Sequence, residues 1–414
     1  MSSTVKPARV LVIGGGYAGL SVMINLLNLW LGQPQMPCPL PPTELKAIPQ
    51  VPAQITLIDE RDDHLMGAPL SQTSLDFADE AWLPFDEIPQ LRRAKERVSI
   101  TRGTAQKLRI EENTLDYVDP TGTRKSIGYD YAVVATGLRR EWPVAPRALD
   151  KKNFLRDTSA QLARFSKAQA IAVIGGGAVG TEIAAELKTA FPHTRIILIH
   201  SRELLLSSEP LPAPFKQKTM EMVSSLDIEL KLSSRVLEIR NVEASYAQEE
   251  KELTLSDGER ILCSEVIDTT ARSKKLASNT TCSLFDGVGD VKVLPTLQVA
   301  QGGAVHNVFA VGDAASWPGI KRAGSALIMG QYAATNILQS IVNKEKADQG
   351  HVGSPDETSL VTCPQFQPMM ALTIGDEAIC YTASTGLSWG KEIKDEVVGR
   401  GMGIDRCSEY LQIK

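Results

Sequence analysis

Short runs of β-branched apolar residues punctuate the chain, and two of them lead directly into glycines. Residues 9–19 (RVLVIGGGYAG) and 170–180 (AIAVIGGGAVG) each pass through G-x-G-x-x-G into a helix-like stretch. A short apolar run bounded by glycine reads as a buried strand, so this repeated passage predicts two nucleotide-binding units. Residues 32–53 then carry seven prolines (Pro34, Pro37, Pro39, Pro41, Pro42, Pro49 and Pro52). Proline lacks the backbone donor that helix and sheet interiors need, which predicts a surface insertion before the strand 54–59 (QITLID).

Farther along, alternating strand-like residues end in 129–137 (YDYAVVATG). The second motif's helix, 178–191, leads to a strand at 195–200, giving a compact βαβ unit. Strand signals follow at 227–232, 236–240, 251–255 and 266–270. Residues 307–313 (NVFAVGD) read as a buried strand ending in a carboxylate, followed by a long helix through about residue 341. The charged segment 344–349 and the polar residues to 357 predict a linker. Signals at 370–374 and 378–381 predict a small third unit.

Composition narrows the function classes. At 414 residues, 43% hydrophobic and 22% charged, the chain is an ordinary globular one with room for two or three domains. A net charge of -5 leaves no basic footprint, so nucleic acid is not an expected partner. No apolar run reaches the roughly 18 residues of a membrane span, so no integral membrane segment is expected, and peripheral membrane contact stays open. Residues 6–32 place basic residues ahead of an apolar stretch, but three consecutive glycines favour strand, turn and helix over a signal peptide. Ser2 stands where N-myristoylation needs glycine. The six cysteines (Cys38, Cys263, Cys282, Cys363, Cys380 and Cys407) form no C-x-x-C or C-x-x-x-x-C pair. Isolated thiols predict a reducing, cytoplasmic setting with no dithiol centre. The five histidines are scattered, and no metal is expected.

The chemistry concentrates at the glycines. In each motif the first glycine permits a tight turn, the second lets the backbone approach a pyrophosphate, and the third lets helix pack on strand. Gly14, Gly16 and Gly19, with Tyr17 and Ala18 between them, form one candidate site. Gly175, Gly177 and Gly180 form the other. An acid about twenty residues past such a motif holds the adenosine ribose. Asp59 takes that place once the proline-rich insertion is set aside, with Arg61 just beyond it. At the second site the corresponding residues are His200, Ser201 and Arg202, which suit a 2′-phosphate better than a carboxylate would. The alternative is a merely solvated loop. Asp313, a carboxylate ending a buried strand, can accept hydrogen bonds from a ligand's hydroxyls, cap the following helix, or do both; that helix's N-terminus favours negative charge nearby.

The order G-x-G-x-x-G, Ala-Thr-Gly137, G-x-G-x-x-G and VFAVGD resembles the two-dinucleotide-binding-domain flavoproteins of the pyridine nucleotide-disulfide oxidoreductase superfamily. Residues 175–188 (GGGAVGTEIAAELK) and 197–201 (ILIHS) are most similar to its apoptosis-inducing-factor-like, ferroptosis-suppressor-like branch, itself related to type II NADH dehydrogenases. The resemblance implies an α/β fold: two Rossmann-like three-layer ββα dinucleotide-binding domains plus a small C-terminal α+β domain. The expected boundaries are 1–150 with 285–345 for the FAD-binding domain, 151–284 for the NAD(P)H-binding domain and 355–414 for the third.

By the same resemblance, non-covalent FAD lies at the first site, with Ala105 near the adenine, Thr136 and Gly137 at the dinucleotide turn, and Asp313 on the ribitol. NADPH or NADH lies at the second, with Glu182 beside nicotinamide and flavin. Lys321 faces flavin or substrate, or else solvent. The chain departs from the branch in its proline-rich insertion, its missing N-terminal glycine, and Thr-Thr-Ala271 in place of a second Ala-Thr-Gly-like turn. Unpaired cysteines exclude the disulfide-reductase mechanisms. The expectation is a cytoplasmic FAD-dependent NAD(P)H oxidoreductase with a quinone-like acceptor. The alternatives are a specialised-metabolism flavin oxidoreductase acting on a bespoke small molecule, and a dinucleotide-sensing interaction protein.

Overall fold

The computed structural model describes residues 6–37, 45, 47–65, 73–138, 140–243, 249–270, 284–301, 304–350, 359–399 and 403–413. Its larger sheet has six strands in the order Gln298–Gln301, Ala304–Ala310, Tyr131–Val134, Ala8–Ile13, Ala53–Asp59 and Val98–Arg102. Only the first pair is antiparallel. Val10, Leu11, Val12 and Ile13 are all buried, as expected of a parallel strand covered on both faces. From Ala8–Ile13 the chain moves to one side of the sheet and later to the other. The end of that strand, where Gly14 begins, is therefore the topological switch point at which open α/β sheets bind ligands.

The helices Tyr17–Trp30 and Ala323–Asp348 pack closely against each other beside this sheet. A Cβ at Gly330 would stand 2.6 Å from Ser21 Cβ, and Ser21 Oγ donates to the Leu327 carbonyl at 2.6 Å. The meander Thr104–Arg109, Thr114–Val118 and Arg124–Gly128 joins the same core through Leu108 and Leu115.

The second sheet repeats the plan with four parallel strands: Glu229–Lys231, Arg195–Ile199, Ala170–Ile174 and Glu265–Asp268. Its two faces separate by residue parity. Ile171, Val173, Ile196 and Leu198 pack with Ile183 and Leu187 of the helix Ala178–Ala190. Ala170, Ala172, Ile197 and Ile199 pack with Leu253, Leu255 and Ile261 of the meander Val236–Glu243, Glu249–Leu255 and Arg260–Cys263. Helix layer, parallel sheet and antiparallel meander make the expected three layers.

A third, antiparallel sheet of Met370–Ile374, Glu377–Thr382 and Gly386–Gly390 buries Met370, Leu372, Ile374 and Ile379 in the core of the second unit. The chain then returns to the first core, where Leu411 is fully buried.

Two sequence expectations need correction. The segment 344–349, expected as a linker, is mostly the end of the helix Ala323–Asp348. Its charges hold it there: Lys344 pairs with Asp348 at 2.8 Å, and Glu345 accepts from the Gln50 and Val51 amides. That helix also starts at Ala323 rather than directly after Asp313, so Asp313 is not its cap. The described part of the insertion 32–53 contains neither helix nor strand before Ala53. No helix among the described residues is long and apolar enough to cross a membrane.

Candidate functional site

At the switch point, Gly14 adopts φ +104° and lies so close to the Ala135 carbonyl oxygen that a Cβ would stand 2.6 Å from it. A Cβ at Gly19 would be 1.8 Å from the Gly14 carbonyl oxygen, and one at Gly16 would meet nothing within 4 Å. Gly14 and Gly19 thus close the turn while Gly16 keeps the helix N-terminus open. Such an end presents unpaired N–H groups and a positive dipole to phosphate. Tyr17 and Ala18 begin the helix, and Thr136 with Gly137 (φ +62°) follows the neighbouring strand Tyr131–Val134. Asp59 Oδ2 accepts from the Gly15 amide at 2.6 Å, and Oδ1 from the Arg61 amide at 2.8 Å. The Asp59 carbonyl accepts from the Gly103 amide at 2.7 Å, which brings the strand carrying Ala105 alongside. The structure therefore brings the strand ends and turns that carry the predicted residues from Gly14 to Gly137 together at one end of the sheet.

The second cradle repeats this backbone. Gly175 has φ +107°, and a Cβ at Gly180 would again be 1.8 Å from the first glycine's carbonyl oxygen. Gly177, like Gly16, is open. Here the Gly176 amide donates to His200 Nδ1 at 3.1 Å, and His200 Nε2 pairs with Ser207 Oγ at 2.9 Å. An Nδ1 that accepts leaves the ring proton on Nε2, so the imidazole is neutral. Burial lowers its pKa, against a hydrogen bond to the Leu204 backbone that raises it, and the nearby Arg202 charge adds to the lowering. Ser201 and Arg202 are exposed beside it. Thr269 takes the place of the missing Ala-Thr-Gly turn, its hydroxyl donating to the Ile174 and Gly175 carbonyls at 2.8 and 3.1 Å. Ala271 lies outside the described residues.

Three predicted groups lie between the cradles and the rest of the molecule. Glu182 Oε1 accepts from the Thr373 amide and hydroxyl at 3.2 and 3.3 Å, which ties the helix Ala178–Ala190 to the C-terminal sheet. Burial pushes its carboxyl up to about 7, against the pull of those two bonds. Asp313 sits in the single turn Gly312–Ala314 at the end of its buried strand. Lys321 is not free in solvent: its ammonium pairs with Asp290 and donates to the Asp313 and Ala315 carbonyls at 2.7 and 3.3 Å. Sequence reasoning missed Arg140, which bonds the Thr269 carbonyl at 2.7 Å, as well as Ser207 and Thr373. No local pattern marks them, because each acts on a partner distant in sequence or across a turn.

The family model for pyridine nucleotide-disulphide oxidoreductases matches residues 8–330. The chain belongs to this family. Oxidoreductase OXR1 of Ajellomyces capsulatus is 35% identical over the whole of this chain and 89% of its own length. Ferroptosis suppressor protein 1 of Taeniopygia guttata is 27% identical over 81% of this chain and 82% of its own. In fold, NDH2 from Plasmodium falciparum, solved in complex with NADH, superposes with a TM-score of 0.66 at 13% identity, covering 99% of this chain and 97% of that one.

As a member of the pyridine nucleotide-disulphide oxidoreductases, the chain is an NAD(P)H-dependent oxidoreductase that uses FAD. The first cradle has room for that group: a Cβ at Gly16 would meet nothing within 4 Å at the helix N-terminus, and the Asp59 carboxylate lies against the same turn through the Gly15 amide. The dithiol of the family's name has no counterpart among the described residues, where Cys263, Cys363, Cys380 and Cys407 are all free thiols. Burial pushes Cys263 and Cys407 up to about 11 and Cys363 to about 12, far from thiolate at neutral pH. Cys38 and Cys282 lie outside the described residues.

Proposed function

We propose that the chain takes a hydride from NAD(P)H at the second cradle, holds FAD at the first, and passes the electrons to a quinone-type acceptor. The observation carrying this reading is the pair of cradles with the same glycine backbone and different ribose ends, an acid at Asp59 and a neutral imidazole at His200. In this reading residues 1–150 and 285–345 form the FAD domain, residues 151–284 the NAD(P)H domain and residues 355–414 the C-terminal domain. Bound FAD supplies the two-electron carrier chemistry; the protein supplies binding, orientation and exclusion of water.

Gly14, Gly16, Tyr17, Ala18 and Gly19 hold the FAD pyrophosphate. Asp59, with Arg61, holds its ribose. Ala105 borders the adenine, Thr136 and Gly137 line the turn, and Asp313 accepts from the ribitol. Gly175, Gly177 and Gly180 hold the nicotinamide dinucleotide, while His200, Ser201 and Arg202 receive the 2′ end of its adenosine. Glu182 orients the nicotinamide, and Lys321 is a positioning residue that fixes the loop carrying Asp313. The ferroptosis-suppressor relatives support the quinone-type acceptor, and the isolated cysteines turn the electrons away from a thiol route.

Stopped-flow mixing with NADPH, followed by a panel of acceptors, tests the reading. The flavin absorbance should bleach rapidly and return fastest with a quinone. A flavin that stays oxidised for minutes would favour a dinucleotide sensor, and reoxidation by no quinone would move the acceptor to another class.

A further inference from the structure

The short helix Ile404–Tyr410 follows the C-terminal sheet in sequence but packs on the first unit. Ile404 is buried with Ala81, and Tyr17, Phe77 and Leu83 pack against that pair. The Tyr17 hydroxyl donates to the Cys407 thiol, a bond that works against the burial raising that thiol's pKa. Just past the helix, Leu411 is fully buried in the first core, and Tyr410 and Ile413 pack on the same core. Gln90 Nε2 fastens this end by donating to the Gln412 carbonyl and Oε1 at 3.3 and 2.9 Å. The helix is also tied to the chain before it: Arg406 Nη2 donates to the Glu396 carbonyl at 2.9 Å, and Lys394 Nζ to the Gly375 carbonyl at 2.7 Å. The proposed mechanism uses none of these contacts.

Tyr17 is the first residue of its helix, directly after the open Gly16, which has no side chain to cap the turn. The first amides of a helix have no intrahelical acceptor, so what packs on that turn fixes where they point. Here the Tyr17 ring meets the Ala81 and Ile404 pair while its hydroxyl meets Cys407. Two of those three partners come from the far end of the chain.

We propose that the helix Ile404–Tyr410 is part of the FAD site: through Ile404 and Cys407 it positions Tyr17, and with it the helix-start amides that hold the FAD pyrophosphate. This rests on the first cradle being the FAD site. Ile404 and Cys407 are positioning residues that act on the cofactor only through Tyr17. FAD therefore leaves faster when their hold on Tyr17 is broken.

The test is the rate of FAD release from the holoprotein, followed as the rise of free-flavin fluorescence on dilution. Tyr17→Phe and Cys407→Ala should each speed release about two- to tenfold, the range expected for one hydrogen bond. Because both remove the same bond, the double variant should release FAD no faster than either alone. Cys407→Ser keeps an acceptor in place and should behave as the wild type. Ile404→Asp puts a charge into a buried contact and should speed release by more than about tenfold; if it fails to fold, the hydrogen-bonded pair still decides. Affinity for NADPH at the second cradle should stay unchanged throughout, which a general loss of stability would not allow. Unchanged release in Tyr17→Phe and Cys407→Ala would overturn the proposal while leaving the FAD site standing. Effects that simply add in the double variant, or NADPH affinity lost in step with FAD, would overturn it too. A wild type that takes up no FAD would overturn the site assignment, and this proposal with it.

Discussion

The two glycine cradles share a backbone and differ at each place where a side chain reaches into them. The amide of the middle glycine donates to a carboxylate at Asp59 in one and to a neutral imidazole at His200 in the other. Two residues past the third glycine, Ser21 bonds the Leu327 carbonyl and locks two helices together, whereas Glu182 reaches Thr373 of the C-terminal sheet. The glycines set a binding surface for any dinucleotide. The side chains around them decide which dinucleotide binds and how the site joins the rest of the molecule. On the proposed reading, the acid at Asp59 takes the two free hydroxyls of a ribose, and the imidazole at His200 with Arg202 nearby takes a 2′-phosphate.

The largest expected effects break one cradle at a time. In Gly19→Ala the new methyl collides with the Gly14 carbonyl 1.8 Å away, and the purified protein should carry no flavin absorbance. Gly180→Ala makes the same collision in the other cradle, and should give a yellow protein that NADPH does not bleach. The reverse pattern, with the second variant colourless and the first yellow, would exchange the two assignments.

Smaller but sharper effects come from exchanging the ribose ends. A charge-assisted bond is worth about 1.5–3 kcal/mol, or roughly ten- to a hundredfold in preference. We expect the wild type to favour NADPH while still using NADH. His200→Asp should move the kcat/KM ratio toward NADH by about that factor, and Arg202→Ala should move it the same way. An NADH preference in wild type, or a ratio unmoved by Arg202→Ala, would take Arg202 out of the phosphate contact.

The Glu182 position differs between the cradles in its response to pH. A carboxyl raised from 4.5 to about 7 by burial is protonated more readily in the folded state than in the unfolded one. Below pH 4.5 both states are protonated and nothing is lost; stability then falls as pH rises through about 7 and levels off above it. Glu182→Gln should remove that slope, leaving stability unchanged near pH 4 and higher by at most about 3 kcal/mol near pH 8. Equal pH profiles of thermal unfolding for the two proteins would contradict this. The smallest effect is expected from the cysteines: replacing all six by serine in a folded variant should leave NAD(P)H oxidation within about a few fold, since no thiol pair lies in either motif. Loss of activity with FAD retained would reopen a thiol route.

Sequence alone determined the repeat and the position of both cradles, while the fold class came from the family its motifs resemble. The repeat and the cradles rest on local rules: β-branched runs form strands, glycine permits the tight turn, and both signals fall within about ten residues. Asp59 was legible too, once the proline-rich insertion was removed from the spacing. The helix end at Asp348 was misread because its charges look like linker until Glu345 is seen holding the Gln50 and Val51 amides. Only the tertiary structure decided that Lys321 pairs with Asp290, that His200 accepts from Gly176, that Glu182 meets Thr373, and that Ser325 Oγ is buried without a partner among the described residues. Protonation and pairing depend on burial and on neighbours brought from distant parts of the chain, and a local sequence pattern carries neither.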